Sequence, residues 1–68
     1  MNPRGPASMY RKYTGTKKSL EARSSDGGKT WDVQLFDQGH MTAYTGATLA
    51  KVEALAIAGR MRQVEQRG

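Results

Sequence analysis

The chain has no cysteine among its 68 residues, which excludes disulfides, iron–sulfur clusters and thiolate zinc sites. It has one histidine, His40, so a histidine-based metal site would need carboxylates for its remaining ligands. Neither a metal nor a cofactor is expected. No apolar run approaches the roughly 20 residues of a membrane span. The N-terminus lacks the apolar stretch of a signal peptide, so a cytoplasmic protein without a membrane partner is expected. A chain of this length is one domain at most. It buries only about 60% of the surface its unfolded form exposes, which makes for a thin core. With disulfides excluded, a partner chain is the natural extra source of stability.

Acids are missing from the first third. Residues 1–20 carry Arg4, Arg11, Lys12, Lys17 and Lys18 and no acid, whereas residues 21–68 carry six bases and six acids. The net charge of +5 therefore arises in that first third. Such asymmetry points to a polyanion: nucleic acid, DNA more than RNA, or an acidic protein surface.

Pro3 and Pro6 lie in an aperiodic stretch over residues 1–8. The reading is a flexible basic arm over residues 1–16, followed by a single domain over 17–68. In Met9-Tyr10-Arg11-Lys12-Tyr13, tyrosines interleave with bases. Two readings stay open for this segment. Aromatic rings that stack on bases beside phosphate-binding lysines and arginines make a single-strand binder. The other is a short edge strand whose tyrosines cover the thin core.

Residues 18–24 alternate with period two, placing Leu20 and Ala22 on one face and Glu21 and Arg23 on the other. Residues 31–36 form a second alternating run, with Trp31, Val33 and Leu35 on one face. Residues 41–45 are a shorter β-prone run. Turn chemistry at Asp26-Gly27-Gly28 and at Gln38-Gly39 joins the three into an antiparallel meander. A two-residue Gln38-Gly39 loop sets Val33 opposite Tyr44 and Leu35 opposite Thr42; a three-residue loop shifts that register by one. Either way Phe36 falls on the outer face, as a contact residue or simply exposed.

Residues 47–66 read as one helix capped by Thr45 or Thr48, with Arg60, Arg62 and Arg67 near its C-terminal end. Leu49, Val52, Leu55, Ala56 and Gly59 form a core stripe. Ala50, Ala54, Ile57, Met61 and Val64 form a second, which with Phe36 is the candidate partner or dimer interface. A wide helix face on a curved sheet is the alternative. The expected fold is thus α+β: a three-stranded antiparallel meander, one C-terminal α-helix on one sheet face, and a basic arm in front.

Ser24-Ser25-Asp26-Gly27-Gly28-Lys29-Thr30-Trp31 fits S-x-D-x-G-x-T-W at every fixed position. It resembles the Asp-box, a β-hairpin motif repeated in sialidase propellers and found singly elsewhere. The resemblance implies a structural turn built on Ser24, Asp26, Gly28, Thr30 and Trp31, and no sialidase activity. The order strand, strand, strand, helix, with Trp31-Asp32-Val33 and a Thr-Gly-led helix, resembles the N-terminal DNA-binding module of tyrosine-type integrases. It is also similar to small uncharacterised bacterial and phage β-β-α proteins. The integrase resemblance implies an outer sheet face in a DNA groove; here that face also carries Glu21 and Asp32.

Catalysis is not expected. His40 stands alone, Asp32 and Asp37 fall on opposite strand faces, and no phosphate loop, nucleophile elbow or metal spacing occurs. The first functional reading is a small non-enzymatic nucleic-acid-binding accessory or regulatory protein of phage or mobile-element origin. Its contacts would be Arg4, Tyr10, Arg11, Lys12, Tyr13, Lys17, Lys18 and Arg23. The second is a small inhibitor or adaptor that binds a protein through the helix and outer sheet face, with a homodimer through the helix as a further expectation.

Overall fold

The computed structural model describes residues 8–68. Arg4 and the first half of the expected arm lie outside them. Six elements follow: β1 (Met9–Gly15), β2 (Lys18–Ser24), β3 (Trp31–Asp37), β4 (His40–Ala47), α1 (Leu49–Ala58) and β5 (Arg62–Arg67). The strands form one antiparallel sheet in the order β4-β3-β2-β1-β5. The α+β class stands. Three strands become five, and the helix is not C-terminal, so the strand, strand, strand, helix order is corrected.

Two segments account for the difference. Residues 9–15, expected within the arm, pair along their length with β2, Tyr13 opposite Leu20 and Tyr10 opposite Arg23. Residues 62–67, expected as helix, are the edge strand β5. Their Arg, Gln and Glu residues favour helix intrinsically, but the free edge of β1 offers a ladder of backbone hydrogen bonds that overrides a weak propensity. Lys12 faces Glu65 while Tyr13 faces Gln63. Val64 is thus the extra residue of a β-bulge.

The helix begins at Thr48, whose hydroxyl accepts from the Lys51 N–H at 3.1 Å. It stops where Arg60 turns left-handed, at φ 54°. There the Arg60 N–H donates to the Ile57 carbonyl at 2.9 Å, and the Met61 N–H to the Ala56 carbonyl at 2.8 Å. This pair of bonds satisfies carbonyls that would otherwise be orphaned and reverses the chain. The helix crosses one sheet face and delivers the chain from the β4 edge to the opposite edge.

Between helix and sheet lie Tyr13, Leu20, Ala22, Trp31, Val33, Val52, Ala56 and Met61, all buried. Burial of side chains such as Leu20, Val33 and Val52 stabilises the fold by about 1.5–3 kcal/mol each. Val33 faces Tyr44 and Leu35 faces Thr42, the register of a two-residue loop. Gln38 and Gly39 both have positive φ, 52° and 89°, as that tight turn requires.

The Asp-box segment is a hydrogen-bonded loop between β2 and β3. The Ser24 hydroxyl donates to Asp26 Oδ1 at 2.8 Å and accepts from the Gly28 N–H at 2.9 Å. Asp26 also accepts from the Thr30 N–H at 3.0 Å and the Thr30 hydroxyl at 2.6 Å. The Trp31 indole N–H donates to the Gly28 carbonyl at 3.1 Å. These bonds hold the Asp26 carboxyl well below its ordinary pKa, the Thr30 hydroxyl bond contributing most. Gly28 adopts φ 94°, a region open to glycine.

Candidate nucleic-acid interface

The bases named from the sequence separate into three groups. Arg11 lies on the helix side of the sheet, since it stands opposite Ala22. Its guanidinium donates to the Tyr13 hydroxyl at 3.1 Å, lies 3.5 Å from Glu53 of α1, and sits 5.9 Å from the Trp31 ring centroid. It ties sheet to helix.

Tyr10, Lys12 and Arg23 lie on the open face. Tyr10 is only 9% exposed. Its ring is flanked by the guanidiniums of Arg67 at 4.3 Å and Arg23 at 5.0 Å, and its hydroxyl donates to Glu21 at 2.9 Å. Burial, then the Glu21 bond, pushes the phenol above its ordinary pKa. Glu21 pairs with Arg23 and Glu65 with Arg67. Lys12 stands in register between Glu21 and Glu65.

Tyr13 is in the core at 5% exposure. Tyr10 and Tyr13 are three residues apart, so strand alternation sends them to opposite faces. Neither ring is free to stack on a base. For these two residues the structure favours the covering role over the stacking role.

Lys17 and Lys18 belong to the third group, and the fold adds Arg60 and Arg62, which the apolar spacing over residues 47–66 places on a helix. Arg62 stands opposite Thr14, and Gly15 opposite Lys18. A Cβ on Gly15 would lie 3.1 Å from the Arg60 carbonyl, and one on Gly59 would lie 3.6 Å from Lys18 Cδ. The β1–β2 turn and the α1–β5 turn therefore meet at one end of the sheet. Thr14, Gly15, Thr16, Arg60, Met61 and Arg62 line a shallow open cleft of about 380 Å³ there. The Gln38 N–H of the β3–β4 turn donates to the Lys17 carbonyl at 2.9 Å, fixing this end further.

Among the described residues, Lys17, Lys18, Arg60 and Arg62 take part in none of the ion pairs, whereas Arg11, Arg23 and Arg67 each have a carboxylate partner. One acid, Asp37, stands opposite Lys18 in register. Lys29 lies in the Asp-box loop at the other end. The only sequence signal for Arg60 and Arg62 was Gly59 followed by two arginines within three residues, and the uninterrupted apolar spacing across it favoured a longer helix.

The candidate partner stripe is dispersed. Ala50, Ala54 and Ile57 lie exposed on α1. Met61 is 8% exposed within the core, and Val64 is the bulged residue of β5. The chain direction reverses at Arg60, so the five residues form no single stripe. Phe36 is exposed on the open face beside Met41.

Among the described residues, no group of three or more His, Asp or Glu side chains is placed to hold a metal ion. No described helix is long and apolar enough to cross a membrane. Comparison with family models, curated proteins and solved structures finds no match for this chain.

Proposed function

We propose that this chain is a small, non-enzymatic nucleic-acid-binding protein that engages the phosphate backbone with the end of the sheet where β1–β2 meets α1–β5. One observation carries the reading: Arg60 and Arg62 line a cleft with Thr14 and Thr16, Lys17 and Lys18 lie at the same end of the sheet, and none of these four cations takes part in an ion pair among the described residues. Cations without carboxylate partners supply attraction to phosphates, and hydroxyls supply neutral donors that fix position. Because Tyr10 and Tyr13 are covered, contact is to phosphate and not to base faces. Binding of this kind is tolerant of sequence and sensitive to salt.

Fluorescence anisotropy with labelled duplex and single-stranded DNA and RNA across a salt series tests it. Each duplex phosphate neutralised contributes a slope of about −0.9 in log affinity against log salt, so this end gives about −2 to −3.5. Replacing Lys17, Lys18, Arg60 and Arg62 together by Gln flattens that slope. The Lys29→Gln, Lys51→Gln pair, remote from the cleft, leaves most of it. Equal slopes for the wild type and the fourfold variant would refute the reading, as would no binding at low salt.

A further inference from the structure

β4 is unlike the other elements of the sheet. It carries no Lys, Arg, Asp or Glu, whereas β1, β2, β3 and β5 each carry at least two, and α1 carries Lys51 and Glu53. The two sheet edges differ accordingly. β5 is guarded by Arg62, Glu65, Arg67 and the Val64 bulge, the devices that keep an edge from recruiting another strand. β4 is the opposite edge. Its ladder with β3 is regular from His40 to Tyr44, before a register shift near Gly46.

The free groups on this edge follow from the turn. Asp37 and His40 close the two-residue turn and are hydrogen-bonded to each other in such hairpins. Alternation then turns the backbone N–H and C=O of Met41 and Ala43 outward. Beside them on the open face lie Phe36, 41% exposed, and Met41, 50% exposed, directly opposite each other.

We propose that β4 pairs antiparallel with β4 of a second copy, about a two-fold axis through Thr42, making a continuous ten-stranded sheet. Met41 of each chain then faces Ala43 of the other, and four backbone hydrogen bonds form across the seam. Thr42 meets Thr42, a favourable cross-strand pair, and the Phe36–Met41 patches join on one face. The occupant is a second copy because of charge. A chain of net charge +5 repels itself, and β4, among the described residues the one strand free of formal charge, is where two copies approach without like charges in contact. An isologous seam also enlarges the apolar content of a small domain. Dimerisation through β4 leaves the basic end open and is measured without nucleic acid, so its failure and that of phosphate binding are distinguishable.

Sedimentation equilibrium on the full chain, over a concentration series, reads the mass. The wild type moves toward twice the chain mass with concentration. Met41→Lys with Ala43→Lys, both at exposed positions, stays at the single-chain mass while its circular dichroism is unchanged. The chain has no cysteine, so one introduced thiol reports geometry. Thr42→Cys oxidises to a covalent dimer, because facing residues at a non-hydrogen-bonded position have Cα atoms about 4.5 Å apart, within disulfide range. Ile57→Cys on the helix does not. A single-chain mass at every concentration overturns the proposal. So does a dimer that survives the two lysines, or one that cross-links through position 57 and not through 42.

Discussion

Gly15 and Met61 are in such close contact that a Cβ on Gly15 would lie 2.9 Å from Met61 Cγ. The same Cβ would meet the Arg60 and Gly59 carbonyls at 3.1 and 3.4 Å. Gly15 is therefore what lets the end of the helix settle against β1. Gly15→Ala overpacks the seam and lowers stability by about 1–3 kcal/mol. Met61→Ala opens a hole at a cost of about 2–5 kcal/mol. The double variant is less damaged than the sum, with a coupling of about 0.5–3 kcal/mol, because the new methyl occupies part of the vacated space. Urea unfolding of the four proteins measures this, and strict additivity would contradict the contact.

Arg60 separates stability from binding. Its left-handed φ of 54° costs an ordinary residue about 1–2 kcal/mol, while glycine there loses about 0.5–1 kcal/mol of chain entropy. Arg60→Gly is expected to raise stability by about 0.5–1 kcal/mol yet weaken phosphate binding and reduce the salt slope by one contact. Thermal unfolding and anisotropy on the same sample check it; parallel losses in both would show that the arginine is chiefly structural.

Asp26 links the Asp-box loop to pH. Its folded pKa is lowered from the ordinary 3.8, first by the Thr30 hydroxyl bond, then by the Thr30 N–H and Ser24 bonds. The unfolded chain therefore takes up a proton first as pH falls. The stabilisation is complete above the ordinary value. It begins to fall below 3.8 and is lost as the pH drops through the lower folded value. Asp26→Asn removes this charge-dependent part. The difference in melting temperature between wild type and variant should be constant at neutral pH and shrink in acid. A difference that grows in acid would have the wrong sign.

Tyr10 acts at the other end of the scale. Its phenol is raised above the ordinary 10.0 by burial and by donation to Glu21. The fold holds the neutral form, so its contribution is complete below 10.0 and is lost as pH rises through the folded value. Ultraviolet difference absorbance of phenolate should show a late component that Tyr10→Phe removes. Loss of an ordinary component instead would contradict the burial.

Several features of this protein were determined by the sequence alone. Alternation over 18–24 and 31–36 marked the central strands and set Leu20, Ala22, Trp31 and Val33 on one face, because strand periodicity is local. The Asp-box spacing specified its own loop, since every donor and acceptor lies within eight residues. Tertiary structure decided the rest. Residues 62–67 became a strand because the edge of β1 was open, a fact absent from their own composition. Tyr10 became a covered residue because Arg23 and Arg67 arrived from the strands on either side. Lys17, Lys18, Arg60 and Arg62 came to the same end of the sheet only when the helix ended at Arg60 and returned the chain beside Thr14. Electrostatic neighbours are set by distance in space, and residues more than 40 positions apart in the chain acquire that distance only through the fold.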